Sequence, residues 1–305
     1  MKFVVTGAAG FIGSHLTEAL LARGDDVLAV DCFTDYYDPR DKEENASGFD
    51  VLRLDLAEED LDLGGVDGVF HLAGQPGVRS FGEAFPLYLR RNVLATQRVF
   101  QSAAEAGVRV VFASSSSVYG EAERHPTPED ARPEPISPYG VTKLACEQLA
   151  RAYASGFGLD AVSLRYFTVY GPRQRPDMFF RRVCDLLLSG GTFEIYGTGE
   201  QSRSFTEVSD AVSATIASMD GHAAGALYNV GGGDEASMLE AIALLERVSG
   251  RTLDVSHVDR ARGDVARTKA DVSRIAADLG WAPRVPLADG LERMWAWASA
   301  RVATP

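Results

Sequence analysis

The stretch Phe3-Val4-Val5-Thr6-Gly7-Ala8-Ala9-Gly10-Phe11-Ile12-Gly13 passes from a short apolar run into three glycines spaced G-x-x-G-x-x-G. Beyond it, Phe11, Ile12, Leu16, Ala19 and Leu20 recur at the period of one helix face. The order is strand, tight turn, helix. Glycine is needed where backbone turns sharply or approaches a pyrophosphate, whose charge then sits at the helix N-terminus. A glycine triplet alone also serves close strand–helix packing. Here the next apolar run, Val27-Leu28-Ala29-Val30, makes it the start of a βαβ unit. That run ends in Asp31, an acid able to accept from both ribose hydroxyls of a dinucleotide. A carboxylate there repels a 2′-phosphate, so NAD is expected rather than NADP. The competing reading of Asp31 is an ordinary loop acid.

Working outward, residues 33–48 are polar and read as a long loop. Residues 51–54 alternate as a strand and deliver Asp55-Leu56 towards the adenine end. Residues 69–74 form another strand entering the turn Leu72-Ala73-Gly74, followed by Arg79, whose cation either meets a ligand or is simply solvated. A helical pattern over about 86–106 carries Asn92, and 110–114 reads as a buried strand. Alternating strands and helices continue to 162–166, and after Gly171 the rhythm changes to a polar, proline-punctuated segment. The expected class is α/β, a Rossmann-type doubly wound parallel sheet with a smaller, mostly helical substrate-binding domain. The expected boundaries are 1–166 plus about 207–230 for the first domain, and about 167–206 and 231–305 for the second. Trp281, Leu291, Met294 and Trp295 read as core.

The chemistry centres on Tyr139-Gly140-Val141-Thr142-Lys143. Residues four apart stand on one helix face, so an ammonium lies beside a phenol. A free tyrosine titrates near ~10, and a fixed positive charge nearby favours its phenolate. The run Ser114-Ser115-Ser116-Ser117 ends the preceding strand and brings hydroxyls that can bond an oxygen gaining or losing a proton. Tyr-x-x-x-Lys by itself also fits a solvated helix face; the accompanying dinucleotide signature favours the chemical reading.

Composition bounds the rest. The 305 residues carry 46% apolar and 24% charged side chains, ordinary for a globular enzyme, with a net charge of −13. That charge argues against nucleic acid or an anionic membrane as partner, while leaving room for a small anionic ligand met by local arginines. Cys32, Cys146 and Cys184 are too widely spaced for a metal-ligand pattern, and no metal is expected. No signal-like or membrane-length apolar segment stands out, and a cytoplasmic location is expected.

Taken together, TGAAGFIGSH at 6–15, the strand-end serines before Val118-Tyr119-Gly120, SPYGVTK at 137–143 and LRYFTVYGPR at 164–173 resemble the extended short-chain dehydrogenase/reductase family over nearly the whole chain. More narrowly, DCFTDYYD at 31–38, HLAGQPGVR at 71–79 and RPDM at 175–178 resemble the nucleotide-sugar 4-epimerases, above all the UDP-glucuronate 4-epimerases. The resemblance implies Tyr139 as base, Lys143 as its electrostatic partner and Ser115, four residues before Tyr119, as the strand-end hydroxyl. It implies bound NAD, a transient 4-keto sugar and a homodimer formed through the helices after Pro86 and Pro138.

On the same ground the cofactor is expected along Gly7, Gly10, Phe11, Ile12, Gly13, Asp31 and Cys32, then Asp55, Leu56, Leu72, Ala73, Gly74, Asn92, Tyr139, Lys143, Tyr166 and Thr168. The UDP-sugar is expected at Arg79, Ser115, Ser116, Ser117, Thr168, Arg175, Met178, Tyr196, Arg203, Arg260 and Asp264. Within that set Arg175 aligns with a carboxylate binder, Arg203 with a diphosphate contact and Tyr196 with a uracil contact. Related dehydratases and decarboxylases carry acids just after the strand-end hydroxyl, where this chain has Ser116 and Ser117. Cys32, Gln75 and Ser204 depart from the family pattern. A UDP-glucose/UDP-galactose-type epimerase, a dehydratase or decarboxylase on the same scaffold, and a non-catalytic NAD-binding regulator are the competing expectations.

Overall fold

The computed structural model describes residues 1–78, 82–221, 225–259 and 265–303. Strand β1 (Lys2–Thr6) turns through the glycines into helix α1 (Phe11–Ala22), and β2 (Asp26–Asp31) returns parallel to β1 with Thr6 opposite Val30. Helix α2 (Pro39–Asn45) and the short β3 (Val51–Arg53) follow. The chain then crosses to β4 (Gly68–His71), which pairs with the other edge of β1. Helix α3 (Phe85–Tyr88) runs without a break through a π turn, Leu89–Leu94, into α4 (Ala95–Ala106). Next come β5 (Arg109–Ser115), α5 (Pro138–Phe157) and β6 (Ala161–Tyr166).

Segment 39–45, read as loop from its polarity, is helical because Asp38 caps it and Pro39 opens it. The Asp38 side chain accepts from the Arg40 N–H at 3.0 Å, and proline's fixed φ suits the first helical position.

After β7 (Thr168–Tyr170) come α6 (Phe179–Ser189), β8 (Thr192–Tyr196), β9 (Ser202–Glu207) and α7 (Val208–Asp220). β10 (Leu227–Val230) returns to the first sheet, placing Val230 opposite Tyr166. The remainder holds β11 (Glu235–Ser237), α8 (Met238–Ser249), β12 (Asp254–Val258), β13 (Arg267–Thr268), α9 (Ser273–Leu279) and α10 (Leu287–Ala303). Its three short strands escape a reading based on helical period. They are edge pieces, β11 and β13 against β9 and β12 against β8, too brief for an alternating pattern.

The main sheet is parallel, in the order β3-β2-β1-β4-β5-β6-β10. Such a sheet is buried on both faces, which is why its strands read as apolar runs instead of alternating ones. Phe3, Val5, Phe70, Val111 and Leu164 pack under α1 and α7, while Val4, Val69, Val110 and Phe112 pack under α4 and α5. Each fully buried side chain of this size contributes roughly 1.5–3 kcal/mol. A third core, including Phe180, Phe205, Leu245, Leu291 and Met294, joins α6, α8 and α10. Strand order reverses between β1 and β4, and ligands of doubly wound sheets settle in the crevice at that point, beyond the carboxyl ends of the strands.

Candidate active site

A cavity of about 720 Å³ opens at that crevice and extends between the main sheet and the β8–β9 region. Its floor is the glycine turn. Gly7 has φ +70°, and a Cβ there would lie 2.8 Å from the backbone nitrogen of Ala73. Only glycine lets β1 turn so close to the segment after β4. Helix α1 opens on Gly10 with no side-chain cap and no acid in its first turn, so its N–H groups and dipole are available to an anion. Gly10, Phe11, Ile12 and Gly13 all face this space. The donor set fits a dinucleotide pyrophosphate.

Asp31, at the end of β2, accepts from the N–H groups of Ala9 at 3.2 Å and Phe33 at 2.8 Å. The Lys42 ammonium lies 3.9 Å from its Oδ1 and donates to Thr34 Oγ1 at 2.9 Å. Burial holds Lys42 below the usual lysine range. The polar stretch around Lys42 reads as loop in sequence, so the lysine leaves no signal there beyond its place four positions after the cap Asp38; the structure buries it on the inner face of α2. Cys32 lines the same pocket, and Asp55 and Leu56 close it further along. The Asp55 carboxylate accepts from Arg90 Nη2 at 2.9 Å.

Leu72, Ala73, Gly74 and Gln75 form the wall between β1 and β4. Asn92 knits that wall from behind. Its Oδ1 accepts from the Gln75 N–H at 2.6 Å, and its Nδ2 donates to the Gln75 carbonyl and to Thr142 Oγ1, both at 3.1 Å. Asn92 is therefore not among the cavity-lining residues; it stands one layer back, on the π turn. His71, also buried, bridges Thr6 and Thr96 at 2.8 and 2.9 Å. Burial, and then the charge of Lys143, push it down to about 3, so it serves as a neutral spacer.

Tyr139 sits in the first turn of α5. Ser137 caps that helix, its Oγ accepting from the Gly140 N–H at 3.1 Å, and Pro138 takes the first helical position. A Cβ on Gly140 would lie 2.5 Å from the Ser117 carbonyl oxygen, so this glycine lets the helix start directly against the serine turn. One turn on, Lys143 is buried; its Nζ donates to the Ala113 carbonyl at 2.7 Å and lies 5.9 Å from the centre of the Tyr139 ring. Ser115 ends β5 in extended conformation, donating to Ser117 Oγ and accepting from the Ser117 N–H, each at 3.1 Å. Ser115, Ser116, Ser117, Tyr139 and Lys143 line one end of the cavity.

Tyr166 also borders the cavity, with its hydroxyl bonded to Thr215 Oγ1 at 2.6 Å. Thr168, Arg175 and Met178 follow, then Tyr196 at the end of β8 and Arg203 on β9. Arg203 donates to the carbonyls of Ser202 at 2.8 Å and Val265 at 2.7 Å. Arg175 faces Asp177, with Nε to Oδ1 at 3.0 Å and Nη2 to Oδ2 at 3.1 Å. The Tyr36 hydroxyl donates to Asp177 Oδ2 at 3.3 Å. Burial and the Asp177 charge push Tyr36 up to about 12, so it remains a donor. Arg79, Arg260 and Asp264 lie outside the described residues.

Although the chain is acidic overall, Lys42, Arg91, Lys143, Arg175, Arg182 and Arg203 converge on the cavity against Asp31, Asp55, Asp177 and Glu194. The local balance favours an anionic ligand. Among the described residues there is no His/Cys/Asp/Glu cluster able to hold a metal, and no helix is long and apolar enough to cross a membrane.

Comparison with known proteins shows the family. Residues 3–231 match the model of the NAD dependent epimerase/dehydratase family, and the chain belongs to that family. It is similar to the UDP-glucuronic acid 4-epimerase of Bacillus cereus, solved with UDP-glucuronic acid and NAD, at 38% identity and a TM-score of 0.95, covering 99% of this chain and 100% of that one. It is also similar to MoeE5, solved with UDP-glucose and NAD, at 43% identity and a TM-score of 0.89, again covering 99% and 100%. A Bacillus subtilis relative described as an uncharacterized UDP-glucose epimerase, YtcB, is 42% identical over 98% of each chain.

Proposed function

We propose that this chain, as a member of that family, is a UDP-glucuronate 4-epimerase that inverts carbon 4 through a transient 4-keto sugar. The observation that carries the reading is the shared cavity: the Tyr139–Lys143–Ser115 group and the Arg175 guanidinium open onto one space. Tyr139 takes the proton from the sugar's 4-hydroxyl, with Ser115 bonded to the same oxygen and the Lys143 ammonium facing the phenolate. NAD, when bound on the glycine turn, supplies the reversible acceptor for the hydrogen leaving carbon 4. The flat 4-keto sugar turns over in the site; as the hydrogen returns to carbon 4 on its other face, Tyr139 gives its proton back to the carbon 4 oxygen, and the alcohol of opposite configuration forms. Arg175, with Thr168, grips the sugar carboxylate; Arg203 and Tyr196 serve the diphosphate and the uracil. The product is UDP-galacturonate.

The test is incubation with a panel of UDP-sugars followed by separation of the carbon 4 epimers. UDP-glucuronate turns over best, and Arg175→Ala lowers that turnover about ten- to a hundredfold, the scale of charge-assisted hydrogen bonds. Equal turnover of UDP-glucose and UDP-glucuronate, unchanged by Arg175→Ala, sinks the assignment. A neutral-sugar 4-epimerase is the second reading, and the Arg175–Asp177 pair favours it, because an internal carboxylate already neutralises Arg175. Dehydration and decarboxylation lack support, since Ser116 and Ser117 supply no acid.

The same reading has the first part of the chain, with α7 and β10, holding NAD and the remainder holding the nucleotide sugar. It also has the enzyme acting as a cytoplasmic homodimer. Exposed Phe85, Leu89, Leu94 and Val141 on α3–α5 support the dimer, and three unpaired cysteines support a reducing compartment.

A further inference from the structure

An arginine offers five N–H donors in a planar fork. In Arg175 the Nε–Nη2 edge is bound to both oxygens of Asp177, which leaves the Nη1 edge for another acceptor. Asp177 is itself held from across the cavity by Tyr36, a residue 141 positions away in the chain. Tyr36 lies in the connection between β2 and α2, and the ring of its neighbour Tyr37 has its centre 5.2 Å from the Lys42 ammonium. All of these groups border the cavity that holds Tyr139.

We propose that Asp177, steadied by Tyr36, is a positioning residue that fixes one edge of Arg175 so that the other edge holds the sugar carboxylate, and with it carbon 6, close to the plane of the carbon 4 carbonyl. This rests on the reading of Arg175 as the carboxylate binder. The need for such a clamp follows from the chemistry. Oxidising carbon 4 of a glucuronate makes a β-keto acid. If the bond between carbons 5 and 6 turns perpendicular to the carbonyl plane, it breaks and its electron pair moves into an enolate on the carbon 4 oxygen. Carbon dioxide leaves, carbon 5 takes a proton from water, and the hydrogen returns to carbon 4. A UDP-pentose is released, with no external oxidant or reductant consumed. A guanidinium free to swing binds the carboxylate without fixing where carbon 6 lies relative to that plane. One locked by Asp177 does both.

The position of Asp177 also explains why charge alone does not describe the site. Its carboxylate lowers the net attraction for an anionic sugar, so its removal weakens orientation more than affinity. A merely structural role predicts the opposite, a common loss for every ligand.

The experiment uses the NAD-loaded protein and follows the share of UDP-glucuronate turnovers that end in UDP-pentose and carbon dioxide, with calorimetric UDP affinity as a control that lacks the sugar. Asp177→Asn is expected to keep UDP affinity and raise the pentose share about tenfold, the scale of one charge-assisted hydrogen bond. Tyr36→Phe raises it less, and Asp177→Glu, which keeps the carboxylate, lies nearer wild type. An unchanged share in Asp177→Asn, or a parallel loss of UDP affinity, overturns the proposal. If Arg175→Ala raises the share while Asp177→Asn does not, this inference alone fails. If Arg175→Ala changes neither rate nor share, the carboxylate assignment fails with it.

Discussion

Arg165 donates from Nε and Nη2 to the two carboxylate oxygens of Glu147 at 2.9 and 2.7 Å, and Glu147 stands one helical turn beyond Lys143. Both side chains are buried, and Glu147 also accepts from Ser114 Oγ at 2.6 Å. The pair therefore joins α5, β5 and β6 directly behind Tyr139 and Ser115.

Removing one partner leaves a buried charge unpaired, which typically costs 3–5 kcal/mol. Glu147→Leu is thus expected to be destabilised by about that amount in urea unfolding. The double variant Glu147→Leu/Arg165→Met recovers most of the loss, because it buries no orphaned ion. A double variant as unstable as the single one would show that shape, and not charge, is what the pair supplies.

Tyr139→Phe removes one oxygen and little else. Turnover should fall by ~10²–10⁴-fold, the usual contribution of a positioned acid–base group, while bound NAD stays at the wild-type level. Lys143→Met removes the ammonium and its bond to the Ala113 carbonyl, and its turnover is expected to fall as well. Activity of Tyr139→Phe near wild type relocates the base.

Asp31 and Lys42 are expected to set the choice of cofactor together. Asp31→Asn removes the charge that repels a 2′-phosphate and leaves the Lys42 ammonium, 3.9 Å away, without its partner. Affinity for NADP relative to NAD should rise by roughly ten- to a hundredfold. Asp31→Asn/Lys42→Met should lose that gain. Ligand titration decides it: tighter NADP binding by Lys42→Met alone is the result that contradicts this division of roles.

Glu235 gives the fold an acid-sensitive clasp. It accepts from Arg267 Nε at 2.6 Å and Nη2 at 2.9 Å, and from Ser202 Oγ at 3.0 Å, with Lys269 at 3.1 Å. The Arg267 bonds, against some desolvation, hold its carboxyl down to about 2. The folded value lies below the unfolded one of ~4.3, so the stabilisation is complete above that value and lost as pH falls towards 2. The Tm of wild type should exceed that of Glu235→Gln near neutrality, and the gap should close on acidification. A gap that persists at pH about 2 would assign the effect to packing.

What the amino-acid order determined by itself was local. Backbone sterics and helical period tie residues a few positions apart. The strand–glycine–helix start at 3–20, Asp31 at a strand end, Tyr139 and Lys143 on one helix face and the serines closing β5 were therefore legible before any packing was known. The tertiary structure alone decided the rest. It set α2 so that Lys42 lies under Asp31. Tyr36 met Asp177 across 141 residues, and Arg165 met Glu147 across two elements. Side chains this far apart leave no periodic trace. Their meeting is set by how two-sided apolar strands and one-sided helices bury their faces together, a property of the assembled core and not of any one segment.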